Sequence, residues 1–417
     1  MKDKIEFSKS IVTAGVVVAA LGYFVDIYDL VLFSVVRVPS LKNLGYGPKE
    51  VEQYGLLLLN VQMLGMLLGG IFWGILGDKR GRLSVLFGSI LMYSVANILN
   101  GFAQDAMQYG IFRFIAGIGL AGELGAGITL VVESLPKEKR GWGTMIVATI
   151  GVMGAIVAGQ MYNFLSNHGE VPDAWRTCYF FGGGLGLALF IMRISVYESG
   201  MFKQLKEMEV ERGNFFKLFK TRARFSRYMK SILVGLSTWY VVGILVTFSP
   251  EFSKTFNIQG DITAGNAIMY TYAGITAGDF LAGGLSQILK SRKKAILIFL
   301  IMSTVAMTVF FNSYNFTADQ FYLVMVFLGI SSGFWAVIVT NAAEQFGTNL
   351  RATVATSVPN FIRGSLNLIS LLYAWLAGMV GKLQSAQIVA VIVIIIPLVA
   401  LYFTEETFGK DLDYVEE

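Results

Sequence analysis

The sequence predicts an all-α integral membrane protein, with twelve spanning helices in two sets of six. Three observations predict it. Of 417 residues, 55% are hydrophobic and only 15% are charged, with a mean hydropathy of +0.62, whereas a soluble chain is about a quarter charged. Apolar runs near the roughly 20 residues that a helix needs to cross lipid recur along the whole chain. One long polar stretch, 196–228, rich in Lys, Glu and Arg, divides those runs into six and six.

The expected spans are 9–36, 51–76, 83–104, 108–134, 142–165, 174–195, 229–256, 264–289, 294–312, 319–345, 352–380 and 384–403. Residues 1–195 then form an N-terminal bundle, 196–228 a linker, and 229–417 a C-terminal bundle with a short tail. The run 8–36 is too long and too poorly flanked for a cleaved signal peptide, and reads as the first span. Forty-six glycines suit close helix packing in lipid, where hydrophobicity gives helices no reason to associate. Lys and Arg fix the orientation. With the N-terminus inside, roughly 24 of the 33 basic residues fall in cytoplasmic segments, which puts both termini in the cytoplasm and the chain in the cell membrane. Phe215, Phe216, Leu218 and Phe219, interleaved with Lys217 and Lys220, read as an amphipathic linker helix on the inner membrane surface.

Composition also excludes functions. One cysteine, Cys178, rules out an intramolecular disulfide, and one histidine, His168, argues against a histidine-based metal site. The net charge of +5 is spread over short loops and is no nucleic-acid signal. No P-loop, Ser-His-Asp or H-E-x-x-H set occurs, so neither an enzyme nor a P-loop ATP-driven pump is expected, and no cofactor or metal is called for. The Gly117-x-Gly119-x-x-Gly122 pattern mimics a dinucleotide fingerprint, but it lies in an apolar helix with no preceding strand and reads as packing, as does Gly182-Gly183-Gly184.

Between the second and third spans stands Gly77-Asp78-Lys79-Arg80-Gly81-Arg82, a turn too short and polar to be anything but a membrane-surface loop. A weak internal repeat accompanies it. Glu133 and Arg140 lie seven apart, at the inner end of the fourth span and the start of the fifth, as do Glu344 and Arg351 after the tenth, and the basic turn 290–294 stands where a second copy of the 77–82 loop belongs.

The G-D-x-x-G-R order of the 77–82 loop resembles the loop between helices two and three of the major facilitator superfamily of secondary transporters. Arg113 followed by Gly117, Gly119 and Gly122 resembles that superfamily's fourth-helix motif. The segment Glu133-Ser-Leu-Pro-Lys-Glu-Lys-Arg140-Gly141 resembles the loop after it in sugar-porter-like members. Trp175-Arg176, Tyr197-Glu198-Ser199 and Glu405-Glu406-Thr407-Phe408-Gly409 point the same way. Gly122-Glu123 and the paired aspartates of the first span resemble the aromatic-acid and organic-ion symporter branches. The resemblance implies two pseudo-symmetric bundles around a central cavity, working by alternating access. It also implies an inner latch built from Gly77, Asp78, Arg82, Glu133, Arg140, Glu344 and Arg351, with Glu133 pairing Arg82 or Arg140.

Ionisable groups inside spans are functional candidates by default. Asp26 and Asp29 share one face of the first span, with Tyr28 between them, and two neighbouring carboxylates in low dielectric are hard to ionise together. That pattern suits a proton carrier. Arg113 lies at a matching depth and is the expected counter-charge of Asp29; related sugar:proton symporters resemble this pairing. Glu123, deeper on the fourth span, reads as a second proton relay, a substrate contact, or a structural bond between helices. Asp279 and Arg363 lie near mid-membrane, and Arg363 resembles the eleventh-helix arginine of organic-anion transporters. A guanidinium that cannot be neutralised must meet an anion, either Asp279 or the substrate. Tyr28, Trp239, Tyr240 and Trp335 are candidate substrate contacts, with Tyr373 and Trp375 as further aromatics, half of them expected to be interfacial anchors instead.

The reading is a secondary active transporter, a monomer in the bilayer, coupling protons to a small organic anion or carboxylate-bearing metabolite. The alternatives are a sugar or other neutral-solute:proton symporter, a hydrophobic-compound exporter, and a nutrient sensor that moves nothing. A sensor usually carries a long signalling extension, whereas about 14 residues follow the last expected span.

Overall fold

The computed structural model describes residues 2–80, 82–134, 140–168, 173–196, 215–409 and 416. Their regular structure is helical. Six helices make the first half: Lys2–Asn43, Pro48–Arg80, Arg82–Gly101, Ala106–Ser134, Arg140–His168 and Ala174–Val196. The second half opens with a 3₁₀ turn, Phe215–Phe219, and a seventh span running from Arg222 to Thr255 in several segments. Ala264–Ile288 and Arg292–Phe311 follow as the eighth and ninth spans. The tenth is broken into Ala318–Ser332 and Trp335–Glu344, the eleventh into Thr348–Gly364 and Leu366–Val380, and Lys382–Tyr402 is the twelfth. Nine candidate spans among the described residues are long and apolar enough to cross a membrane by themselves. The fold is the twelve-helix architecture that the sequence predicts, with boundaries moved: the first helix runs from Lys2 past residue 36 to Asn43, through Pro39, and the seventh span begins at Arg222, inside the expected linker.

The helices alternate in direction, so one end of the bundle carries both chain termini (the near end) and the other carries the loops 44–47, 102–105 and 256–263 (the far end). Within the first half the second span packs on the fourth, the third on the fourth and sixth, and the first on the fourth, fifth and sixth; in the second half the eighth packs on the tenth. The halves meet where the fifth span lies on the eighth and the second on the eleventh.

Glycine makes the tightest of these contacts. A Cβ at Gly117 would strike the Gln62 carbonyl, and one at Gly65 the Phe114 carbonyl. In the second half, Gly274 and Gly329 face the backbones of 326–330 and 271–274 in the same reciprocal way. The second and fourth spans therefore cross as the eighth and tenth do, backbone to backbone, which is the internal repeat in three dimensions. Gly119 and Gly122 press on Tyr93 and on Ser89 and Trp73, so that glycine run is packing as expected. Gly182 and Gly183 likewise meet neighbours, whereas Gly184 has none within 4 Å.

At the far end Trp175 donates to Asn43 Oδ1 at 3.0 Å, and Arg176 to the carbonyls of Gly101 and Ala103 at 2.9 and 2.7 Å, so this dipeptide ties three loops together. At the near end the Glu405–Gly409 segment does similar work. Glu406 accepts from Ser291 and from the backbone of Arg292 at 2.9 Å, capping the ninth span.

Candidate functional site

Charged side chains in the middle of the bundle define the site. Asp26, Asp29, Arg113 and Arg363 are each at most 1% exposed. Among the described residues none of them is in an ion pair, and both oxygens of each aspartate, all three nitrogens of Arg113, and Nε and Nη1 of Arg363 lack a hydrogen-bond partner. Leaving a buried charge unpaired costs several kcal/mol, and buried polar groups are otherwise satisfied almost without exception. Four orphans of balanced sign in one protein are not a stabilising device.

Arg363 sits in the last turn of the first segment of the eleventh span, where Pro359 and the Gly364–Ser365 break interrupt the helix. Its guanidinium lies 5.7 Å from the ring centres of both Trp239 and Trp335, and the two indoles face each other edge-on with centroids 6.4 Å apart. Both tryptophans stand at helix irregularities. Trp239 is the penultimate residue of a short α segment, Leu236–Tyr240, that passes into a π-helical turn, Val241–Val246, and Trp335 opens the second segment of the broken tenth span. Such breaks re-aim side chains and recur at functional sites.

Asp279 is not the partner of Arg363. Its Oδ1 accepts from the Ala336 N–H at 3.2 Å, where it caps the restarted helix. Breaking the tenth span frees that N–H, and the carboxylate takes it. Asp26 and Arg363, on opposite halves, are joined by no ion pair among the described residues.

The expected Asp29–Arg113 ion pair is also not formed. Arg113 lies over the rings of Phe33 and Tyr179, at 5.5 and 5.7 Å. Phe33 is one helical turn beyond Asp29, so the two charges share a neighbourhood without contact. Tyr109, one turn from Arg113, reaches the Tyr179 hydroxyl at 2.7 Å and closes this pocket of charge toward the far end.

Glu123 forms the pair that sequence reasoning did not assign. Arg193 of the sixth span donates Nη1 to Glu123 Oε2 at 2.9 Å and Nη2 to Oε1. The fork-to-carboxylate geometry is bidentate and almost fully buried. Of the three readings open for Glu123, the structure favours the bond between helices. Arg193 was visible as a lone arginine one turn inside the end of its span.

Tyr28 and Tyr240 spend their hydroxyls on backbone carbonyls within their own halves. Tyr28 donates to the Cys178 carbonyl at 2.9 Å within the first half, and Tyr240 to the Ala386 carbonyl at 2.5 Å within the second. Period alone placed both on plausible faces, but their hydroxyls needed buried acceptors and found them inside the bundles. Trp375 is exposed, as an aromatic on the outer surface, and Tyr373 is buried.

Of the expected latch residues, Glu344 pairs with Arg292 at 3.1 Å and accepts from Thr407 at 2.7 Å. Arg351 lies in the first turn of the eleventh span. The side chains of Gly77, Asp78, Arg82, Glu133 and Arg140 lie outside the described residues, as does Tyr197-Glu198-Ser199.

The far end carries a bridge between the halves that the sequence reading missed. Arg37, wholly buried on the first helix, donates Nη2 to both Glu251 oxygens at 2.7 and 2.9 Å and to the Thr247 carbonyl at 3.1 Å. Its guanidinium covers the Phe248 ring at 4.2 Å. Ending the first span at 36 had left Arg37 as a loop cation. Lys382–Glu52, Ser370–Asn60 and Asn163–Asn266 join the same faces. Replacing Glu251 by Gln strands the Arg37 charge in the closed far end, at a cost of about 3–5 kcal/mol, while an opened far end would hydrate it. Spin labels at Lys49 and Asn257, exposed on opposite halves, should then show a longer distance distribution in Glu251→Gln than in wild type. An unchanged distribution would mean that the bridge does not hold the far end shut.

A bundle of twelve helices in two related halves, bridged at one end and holding unpaired charges at its centre, defines a polytopic membrane carrier. Residues 19–369 match the Major Facilitator Superfamily, and the chain belongs to that family. It is a multi-pass membrane transporter and not an enzyme. It is 24% identical to the niacin transporter NiaP of Acinetobacter baylyi, over 95% of both chains. It is 24% identical to the gentisate transporter of Corynebacterium glutamicum, over 82% of this chain and 76% of that one. Its fold is also that of the Escherichia coli xylose transporter XylE in an inward-open conformation, with TM-score 0.73 at 15% identity, covering 96% and 98% of the two chains.

Proposed function

We propose that this transporter is a proton-coupled symporter of small organic anions, and that it takes a carboxylate attached to a flat ring. The observation that carries the reading is Arg363, buried with Nε and Nη1 unpaired between two indoles. A permanent cation with a free planar edge fits a carboxylate bidentately, and the edge-on tryptophans offer faces to an aromatic body. Niacin and gentisate, named for two relatives, are both aromatic carboxylates. Trp239, Trp335 and Arg363 hold the substrate, with Asp279 fixing the helix break that positions Trp335.

Asp26 and Asp29 carry the proton. Both carboxyls are buried without a partner on the first span, and Asp29 shares its surroundings with Arg113, so protonation of either changes what holds that span in place. In the cell membrane both termini lie in the cytoplasm, so the far end is outside and the Arg37–Glu251 bridge closes the outer entrance. Residues 1–195 and 229–417 rock as units about the site, joined by 196–228. The near-end turns form the inner latch, in which Asp78, Arg82, Glu133 and Arg140 do in the first half what Arg292 and Glu344 do in the second. The monomer suffices, since the site lies within one chain.

Uptake into proteoliposomes tests this reading. Benzoate-like and pyridine carboxylates should accumulate when the outside is acidified, and a protonophore should abolish the accumulation. Gradient-driven uptake of a sugar with no uptake of any carboxylate would replace it by a neutral-solute symporter.

A further inference from the structure

The segment that enters the seventh span has one face inside the protein and one face outside. Phe215 and Leu218 are buried, and Phe215 stacks near Phe361 and Tyr228, with ring centres 6.2 and 6.5 Å away. Tyr228 donates its hydroxyl to Ser357 Oγ at 2.8 Å, which pins the segment to the eleventh span. The opposite face presents Phe216, Phe219 and Phe225, exposed by 61%, 44% and 43%. Between them stand Lys217, Lys220 and Arg222, all exposed and in no ion pair among the described residues. Residues 215–230 contain six basic side chains and no acidic one. Among the described residues Glu416 binds Arg224 and Arg227, and no ion pair reaches Lys217, Lys220 or Arg222.

Depth places this face. Lys230 Nζ bonds the Phe403 carbonyl at 2.7 Å, and Tyr402 and Phe403 at the end of the twelfth span are exposed, as aromatics at a membrane interface are. Phe225 lies five residues nearer the chain end of its helix than Lys230, about 8 Å further out at 1.5 Å per residue. That is the thickness of a headgroup layer beside the hydrocarbon core. Aromatics there would otherwise face water, and cations there meet phosphate.

We infer that Phe216–Phe225 is a docking surface for anionic phospholipid headgroups, with the three phenylalanines entering the acyl boundary and Lys217, Lys220 and Arg222 meeting the phosphates. Juxtamembrane basic clusters of this kind bind acidic lipid electrostatically, each cation contributing about a fivefold change in binding.

The test is lipid retention by the full chain in detergent, read by native mass spectrometry during titration with phosphatidylglycerol and, separately, phosphatidylcholine. Wild type should retain phosphatidylglycerol selectively. Lys217→Gln/Lys220→Gln/Arg222→Gln should lose most of that selectivity, whereas Lys42→Gln/Lys49→Gln, which removes exposed far-end cations, should keep it. Lys220→Gln alone should weaken retention about fivefold, which keeps the test decisive if the triple variant fails to fold. Equal retention by wild type and either 217–222 variant would overturn the proposal, as would equal loss in the far-end control.

Discussion

Arg363→Ala is expected to weaken carboxylate binding by more than a hundredfold, in line with the about 3–5 kcal/mol that an uncompensated buried charge costs. The substrate anion would enter a site that has lost the planar donor edge standing between the two indoles. Arg363→Lys should recover little, because an ammonium cannot offer the two parallel N–H groups of the fork. Asp279→Ala in the same background should not restore binding, since Asp279 caps Ala336 and does not pair with Arg363. Binding of a labelled aromatic carboxylate to the three variants decides the matter. Unchanged affinity in Arg363→Ala, or rescue by the double change, would remove the anion from the reading and point to a neutral substrate or a hydrophobic export cargo.

Asp29→Asn should abolish accumulation driven by a pH gradient while leaving exchange of substrate down its own gradient. The amide imitates a carboxyl that never releases its proton, so the cycle loses the step that the gradient drives. The position makes the effect large. Asp29 is fully buried, both its oxygens lack a partner, and Gly182 on the sixth span presses against it. Arg113 is held nearby by Phe33 and Tyr179. Asp26→Asn separates the two carboxyls. If both variants still concentrate substrate in acidified proteoliposomes, the first span does not carry the proton.

The architecture was legible because lipid imposes one rule on every span. A helix crossing a bilayer must be apolar for about 20 residues, so the twelve spans can be counted without knowing a single contact. The intramembrane charges were legible for the same reason, since Asp26, Asp29, Arg113, Glu123 and Arg363 interrupt apolar runs and stand out. Their partners were not. Asp279 and Arg363 lie at similar depth, yet the aspartate turned to a backbone N–H that appears only because the tenth span breaks at Gly333 and Phe334. Nothing in a hydropathy profile announces such a break. Glu123 found Arg193 on a helix 70 positions away in sequence, and Tyr28 and Tyr240 turned inward to carbonyls that exist only as the neighbours of packed helices.

By itself, then, the sequence determined which segments enter the membrane, that they come in two related sets, and which residues put charge inside it. Each follows from the free energy of moving one group from water to lipid, a property of the residue and its local run. Tertiary structure alone decided which of those charges are paired. Glu123 is satisfied by Arg193 and Arg37 by Glu251, while Arg363, Arg113, Asp26 and Asp29 stay unpaired. Pairing depends on distance and direction between helices far apart in the chain, set by glycine contacts and helix breaks that act only once the bundle has closed.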